Sequence, residues 1–271
     1  MFRLGRAAVL RGAGLQGRND LRIEVSHQKL QHAINDSIVS QRLTMSLKLL
    51  HISEHEIVLR KPAGLLSEAP RTSTADNVVN LLRAEGFGDV RLVHRLDKPA
   101  SGLMLVARTV EATAYYGAEI AARRWHKVYV AKVAYQKDAQ SLVGNHRAYL
   151  KTEGKHATVV RSGGKPSFLT IAHVAQTDRD DEAFAVVRLH TGRFHQIRVM
   201  LANLGAPLVG DALYGGPETR PMYLEHVLLG ARPFGASYLH VWQSPADDDR
   251  PQWPASLADA VAAEVVRISA P

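Results

Sequence analysis

The 271-residue chain contains no cysteine. Without a thiol it can form no disulfide, no thiol nucleophile and no cysteine-based zinc or iron–sulfur site. No apolar run approaches the roughly 20 residues of a membrane-spanning helix. A long apolar core of the kind a secretory signal needs is also missing. There is no P-loop, no dinucleotide fingerprint, no internal repeat, no heptad array and no low-complexity tract. Thirteen histidines invite a metal, yet His190, His195 and His240 show no recognised ligand spacing and no clustered carboxylate partner. No metal is expected.

What is present is an ordinary globular composition, 46% hydrophobic and 22% charged, long enough for one large domain or two small ones. The 34 Lys and Arg exceed the 26 Asp and Glu by eight, which suggests a polyanionic partner, most simply nucleic acid. Half of that surplus lies in residues 1–44, where Arg3, Arg6, Arg11, Arg18, Arg22, Lys29 and Arg42 face only Asp20, Glu24 and Asp36. Gly5, Gly12, Gly14 and Gly17 break any helix there. This stretch reads as an organelle-targeting peptide, an RNA-touching arm, or sequence upstream of a start near Met45. A weakly ordered extension over 1–44 and a folded domain over 45–271 are expected.

Beyond Met45 the pattern alternates short strands and helices. Strands are expected at 56–60 (EIVLR), 90–93 (VRLV), 102–107 (GLMLVA) and 125–133, then as RAYLK, ATVVR, SFLTIAHV and AFAVVRLH between 147 and 190, and again at 237–242. The run 102–107 is apolar on both faces, which suits a covered central strand. Helices are expected after a Ser73-x-x-Asp76 start, at 109–122, at 194–204, and after Pro254. Asp247-Asp248-Asp249 reads as a solvated turn. Strands in succession with helices scattered singly predict an α+β fold with a mixed, largely antiparallel sheet.

Two segments carry candidate chemistry. The loop His94-Arg95-Leu96-Asp97-Lys98-Pro99-Ala100-Ser101-Gly102 sets a carboxylate between two strands, flanked by Arg95 and Lys98. Such a loop either holds a reacting group rigidly or is a surface turn whose Asp makes local hydrogen bonds. In Gly192-Arg193-Phe194-His195-Gln196-Ile197-Arg198, Arg198 lies about 60° around the helix from Leu201, so it borders the buried stripe. A half-buried guanidinium needs an anionic partner or must reach out to water.

In combination these segments resemble the RluA-type RNA pseudouridine synthase family. The resemblance rests on His94-Arg95-Leu96-Asp97 with Ser101-Gly102, on Gly192-Arg193-x-His195-Gln196-Ile197-Arg198, and on Gly210-Asp211-x-Leu213-Tyr214-Gly215. Lys61-Pro62-Ala63-Gly64, Lys127-x-Tyr129 and Leu239-His240 fall in the family's order, so that roughly residues 50–245 are covered. The resemblance implies an α+β fold with flanking helices and a central cleft, and isomerisation of uridine to pseudouridine in structured ribosomal or transfer RNA, without cofactor or metal. It assigns Asp97 as the catalytic aspartate, attacking sugar or base, with Arg198 as its basic partner. Tyr129 would pack on the uracil and assist proton removal at C5. Arg95 would fill the gap left by the flipped base. His94, Lys98, Lys127 and Arg124 are expected near the RNA, with Arg123, Lys151 and Lys155 as diffuse phosphate contacts. Ile197 and Leu201 would pack around the site. His94, His195 and His240 are expected as hydrogen-bonding residues rather than acid–base catalysts.

Departures are Ala100 where many relatives carry Thr, Arg60 where a short amide often precedes the Lys-Pro turn, and no recognisable S4-type RNA-binding domain in 1–44. A cytoplasmic monomer bound to RNA, with no membrane, is expected, organellar targeting by 1–44 being the alternative. Two rivals stand beside the enzyme: a catalytically silent RNA-binding or ribosome-assembly factor with the same fold, and a glycoside hydrolase, which needs a second carboxylate.

Overall fold

The computed structural model describes residues 47–69, 75–135, 138–246 and 250–270. The expectations for 1–44, for a boundary at 45, for a cap at Ser73 and for the Asp247-Asp248-Asp249 turn lie outside these residues. The elements run β1 (Lys48–Ile52), β2 (Glu56–Lys61), α1 (Val78–Ala84), β3 (Arg91–Leu92), β4 (Ser101–Ala107), α2 (Val110–Ala121) and β5 (His126–Ala134). They continue with β6 (Gly144–Glu153), β7 (His156–Val160), β8 (Lys165–Gln176), β9 (Glu182–Leu189), α3 (Gln196–Asn203), β10 (Leu224–Ala231), β11 (His240–Gln243) and α4 (Ala255–Ser269). Among the described residues one eleven-stranded sheet has the order β1-β2-β4-β10-β5-β9-β8-β6-β7, with β11 on β10 and β3 on β4. Every pairing is antiparallel except β4 with β10. The α+β expectation holds.

Strand periodicity divides the core between the two faces of the sheet. On β4, Met104 and Val106 pack with Ile57, Leu59 and the α1 residues Val78 and Leu82. Leu103, Leu105 and Ala107 point the other way, onto Val58, Tyr116 of α2 and Trp125. On β5, Tyr129 and Ala131 share the first face, whereas Val128 and Val130 meet Leu257 and Val261 of α4. All seven residues of β4 are buried, as the unbroken apolar run implied. Truncating any of its large side chains would cost about 2–5 kcal/mol.

The described residues add a helix cap and two strands to the sequence reading. The cap of α1 is Asn77, whose Oδ1 accepts from the Asn80 N–H at 3.0 Å. β1 was not expected. Neither was β10, although all eight of its residues are buried. Its sequence, LEHVLLGA, places Glu225 and His226 inside a central strand and so lacks the pattern of a strand with one wet face. The interior supplies what those groups need. Glu225 accepts from Ser244 Oγ at 2.6 Å, Tyr223 Oη at 2.7 Å and Arg250 Nε at 3.0 Å, while His226 bonds the Leu103 carbonyl. The parallel contact requires Gly102, whose φ is +109°, because a Cβ there would lie 2.4 Å from the His226 carbonyl oxygen.

Candidate active site

Asp97 sits on the loop between β3 and β4, with both neighbours of the loop tip tied down. Leu96 is buried, and Ser67 Oγ accepts its N–H at 3.1 Å and donates to its carbonyl at 2.7 Å. The Lys98 carbonyl accepts from the Gly64 N–H at 2.8 Å and from Lys61 Nζ at 3.3 Å. Lys61 is fully buried and also donates to the carbonyls of Pro62 and Leu65, each at 2.8 Å. Burial pulls its pKa down to about 7, against the opposing charge of Asp97. The Lys-Pro-Ala-Gly turn therefore braces the carboxylate loop from below.

Asp97 remains 18% exposed at its side chain and opens into a cleft of about 660 Å³. α3 brings Arg198 to it, with Nη1 3.5 Å from Asp97 Oδ2. The stronger partner of that guanidinium is Asp211, which accepts from Nε and Nη2 at 2.7 Å each. Arg198 and Asp211 are both buried. Burial opposes the charge of Arg198, but the Asp211 bonds and the nearby charge of Asp97 outweigh it and raise its pKa. Asp211 thus holds the arginine in place and leaves Nη1 directed at Asp97.

His195 lies on the other carboxylate oxygen, Nε2 being 3.9 Å from Asp97 Oδ1. Burial lowers its pKa, against the opposing charge of Asp97. Its Nδ1 is 2.9 Å from Tyr214 Oη, which itself accepts the Ala157 N–H at 3.0 Å. Tyr214 Oη thus ties the imidazole to the backbone of β7, and the ring turns Nε2 toward Asp97. His195 and Arg123 are the two non-glycine residues of positive φ among those described, at +53° and +57°, and both line the cleft. Left-handed backbone at such residues is costly and concentrates at functional sites.

Across the cleft, β5 contributes Lys127 and Tyr129. Tyr129 lines the cleft, packed so that only 5% of it is exposed. It stacks on His226, with centroids 4.5 Å and planes 11° apart. Burial and the charge of Asp97 push its pKa up. His94 is held neutral, chiefly by burial, and its Nε2 accepts the Leu105 N–H at 2.9 Å. Lys127 has no ion pair or hydrogen bond among the described residues, and desolvation lowers its pKa to about 8.

Asp97, Tyr129, Arg198, Arg95, His94, Lys127 and Ile197 all line one cleft, joined by Arg123 and Arg193. Three expected neighbours do not. Leu201 is fully buried and belongs to the core, since α3 is covered on nearly every side. Arg124 is taken up by Glu119, at 2.8 Å from Nε and 2.6 Å from Nη2. Lys98 is exposed outside the cleft and contributes its carbonyl as the anchor described above. Asp211, Tyr214 and Lys61 were inside recognised motifs but carried no assigned role. His226 gave no signal, because its strand was not foreseen.

A profile of the family described as RNA pseudouridylate synthase matches residues 55–203. The chain belongs to the RNA pseudouridylate synthase family. As a member it isomerises uridine to pseudouridine in RNA. The ribosomal large subunit pseudouridine synthase D of Xanthomonas campestris is 32% identical over 241 residues, covering 83% of this chain and 67% of that protein. The dual-specificity RNA pseudouridine synthase RluA of Escherichia coli is 33% identical over 177 residues, covering 65% and 80%. Among solved structures, human RNA pseudouridylate synthase domain containing 1 superposes with a TM-score of 0.60 at 24% identity, over 80% of this chain and 95% of that one. That likeness supports the pseudouridylate synthase fold.

Proposed function

We propose that Asp97 is the nucleophile of the isomerisation, acting on a uridine flipped out of structured ribosomal or transfer RNA into the cleft. One observation carries this reading: Asp97 is the carboxylate that both Arg198 Nη1 and His195 Nε2 face, and it opens to the cleft from a loop braced on both sides. An ionised carboxylate is required whether it attacks the ribose or the base, and a fixed guanidinium favours that form. Tyr129 packs along the uracil and receives the C5 proton. Its raised pKa, partly caused by the charge of Asp97, keeps it protonated at the start. Once Asp97 is consumed in a covalent bond that charge disappears, so the hydroxyl can pass its own proton to solvent in the cleft as its oxygen takes the one leaving C5.

Arg95, exposed at the cleft mouth, fills the gap left by the extruded base. Lys127 supplies a phosphate contact, since an unpaired, partly desolvated ammonium gains most from an anion. The protein acts as a monomer in the cytoplasm, without metal or cofactor. Hydrolysis would need a second carboxylate, and Glu68 also lines the cleft; product analysis separates the two, since hydrolysis frees uracil and isomerisation retains it as pseudouridine. The direct test is tritium release from RNA labelled at C5 of uridine. Asp97→Asn is expected to lose at least about 10³-fold in turnover with unchanged folding. Wild-type turnover in that variant rejects the assignment.

A further inference from the structure

Beside the cleft, the outer face of β6 and β8 carries charge and rings that the isomerisation does not use. Arg147 on β6 lies directly opposite Phe168 on β8, and Asn145 opposite Thr170. The two-residue period of a strand puts Tyr149 on that same face. Ala148, Leu150 and Leu169 point away from it into the core. The Arg147 guanidinium is 5.5 Å from the Phe168 ring centroid and 5.2 Å from that of Tyr149, whose hydroxyl it also contacts. Arg123, just past the end of α2, brings a second guanidinium to 5.6 Å from the same Phe168 ring. It does so from a left-handed backbone, φ +57°. Among the described residues neither arginine has a carboxylate partner. Two like charges gathered on one ring repel each other unless an anion lies between them.

This face is fixed to the cleft wall. The Phe168 N–H donates to Thr191 Oγ1 at 2.9 Å, and its carbonyl accepts from Gln196 Nε2 at 3.0 Å and the His190 N–H at 3.2 Å. Thr191, Gln196 and Arg123 all line the cleft. Phe168 thus adjoins the cleft lining, and Arg147 and Tyr149 lie next to it on the same face. Aromatic rings on a rigid sheet, interleaved with arginines, match the π-faces and phosphates of single-stranded nucleic acid.

We propose that the outer face of β6 and β8 is a docking shelf for unpaired nucleotides next to the modified uridine. Phe168 and Tyr149 stack with bases, and Arg123 and Arg147 hold the phosphates between them. The shelf rests on the reading of the cleft as the RNA site. It adds a second recognition surface, outside the pocket, that selects targets with unpaired flanks.

The test uses the full chain and a fluorescein-labelled dodecamer of uridylate, followed by anisotropy at several salt concentrations. Phe168→Leu and Arg147→Ala are each expected to weaken binding about tenfold, near the lower end of what a lost stacked base costs. Removing Arg147 should also make the dependence of log K on log salt shallower by about 0.7, the value for one single-strand phosphate contact. With RNA labelled at C5 of uridine, both variants should raise KM about tenfold while kcat changes less than twofold. Arg147 is exposed, so its variant tests the shelf even if Phe168→Leu disturbs packing. Wild-type affinity, salt slope and KM in Arg147→Ala would overturn the proposal. Absence of tritium release by the wild-type chain would instead refute the catalytic reading, whatever the dodecamer does.

Discussion

Tyr129 lies flat against His226, ring on ring at 4.5 Å, and His226 is in turn bonded through Nδ1 to the Leu103 carbonyl at 2.7 Å. A carbonyl only accepts, so Nδ1 carries the proton. Burial drives the pKa of His226 down to about 3, so the ring is neutral at any working pH. The neighbouring strands β5, β10 and β4 thus set the tilt of a tyrosine without placing a charge behind it. Replacing His226 by Ala frees that ring. Turnover should fall about 10–100-fold, the usual cost of small misplacements, with Kd for RNA within about twofold of wild type. Unchanged kcat would show that the stack is packing alone.

The Tyr129 hydroxyl is assigned to the C5 proton, so Tyr129→Phe should keep the ring and lose the acceptor. RNA binding is expected to survive, and kcat to fall by about 10²–10⁴-fold. A deuterium effect on turnover should appear with uridine deuterated at C5, because proton removal becomes limiting. Full activity in this variant would remove the hydroxyl from the mechanism.

Arg198 serves two carboxylates, and the two can be separated. Asp211→Ala leaves a buried guanidinium short of its main partner, at a cost of about 3–5 kcal/mol. Arg198→Met strands Asp211 and should cost a similar amount. The double variant Arg198→Met with Asp211→Asn removes both buried charges and should regain most of the stability in thermal unfolding. It should regain none of the activity, since Asp97 still lacks its cation. Recovery of activity in the double variant would mean that Arg198 acts only as scaffold.

Lys127 predicts a pH dependence of binding. Its pKa in the free protein is lowered to about 8 by desolvation, so the ammonium is charged below pH 8 and neutral above it. A bound phosphate favours the charged form. RNA affinity should therefore decline as pH rises through about 8, with proton uptake on binding above that pH. Lys127→Met should flatten this limb in anisotropy titrations between pH 7 and 9.5. An identical profile in the variant would exclude Lys127 as a phosphate contact.

Much of this could be read along the chain, because its causes are local. The loop around Asp97 is legible as a loop because Pro99 fixes φ and Gly102 admits conformations closed to other residues. β4 is legible because an apolar run without alternation needs cover on both faces, and α2 and α3 because their apolar spacing follows the helical turn. Charge composition pointed to a polyanion for the same reason: it needs no coordinates. Other features depend on residues that meet only after the sheet has assembled. Arg198 is recognisable as half-buried from its place on a helix, but no spacing rule selects Asp211 over Asp97 as its principal partner. The turn of the chain after α3 decides that, by folding Asp211 back onto the helix, whereas Asp97 reaches Arg198 from a loop far upstream. β10 itself was hidden, since Glu225 and His226 become acceptable in a central strand only when Arg250, Ser244 and the Leu103 carbonyl arrive from elsewhere. Local sterics and periodicity thus determined which segments form loops, strands and helices, and the combined motifs marked the residues that could act through their resemblance to a family. Long-range packing decided which of them face one another across the cleft.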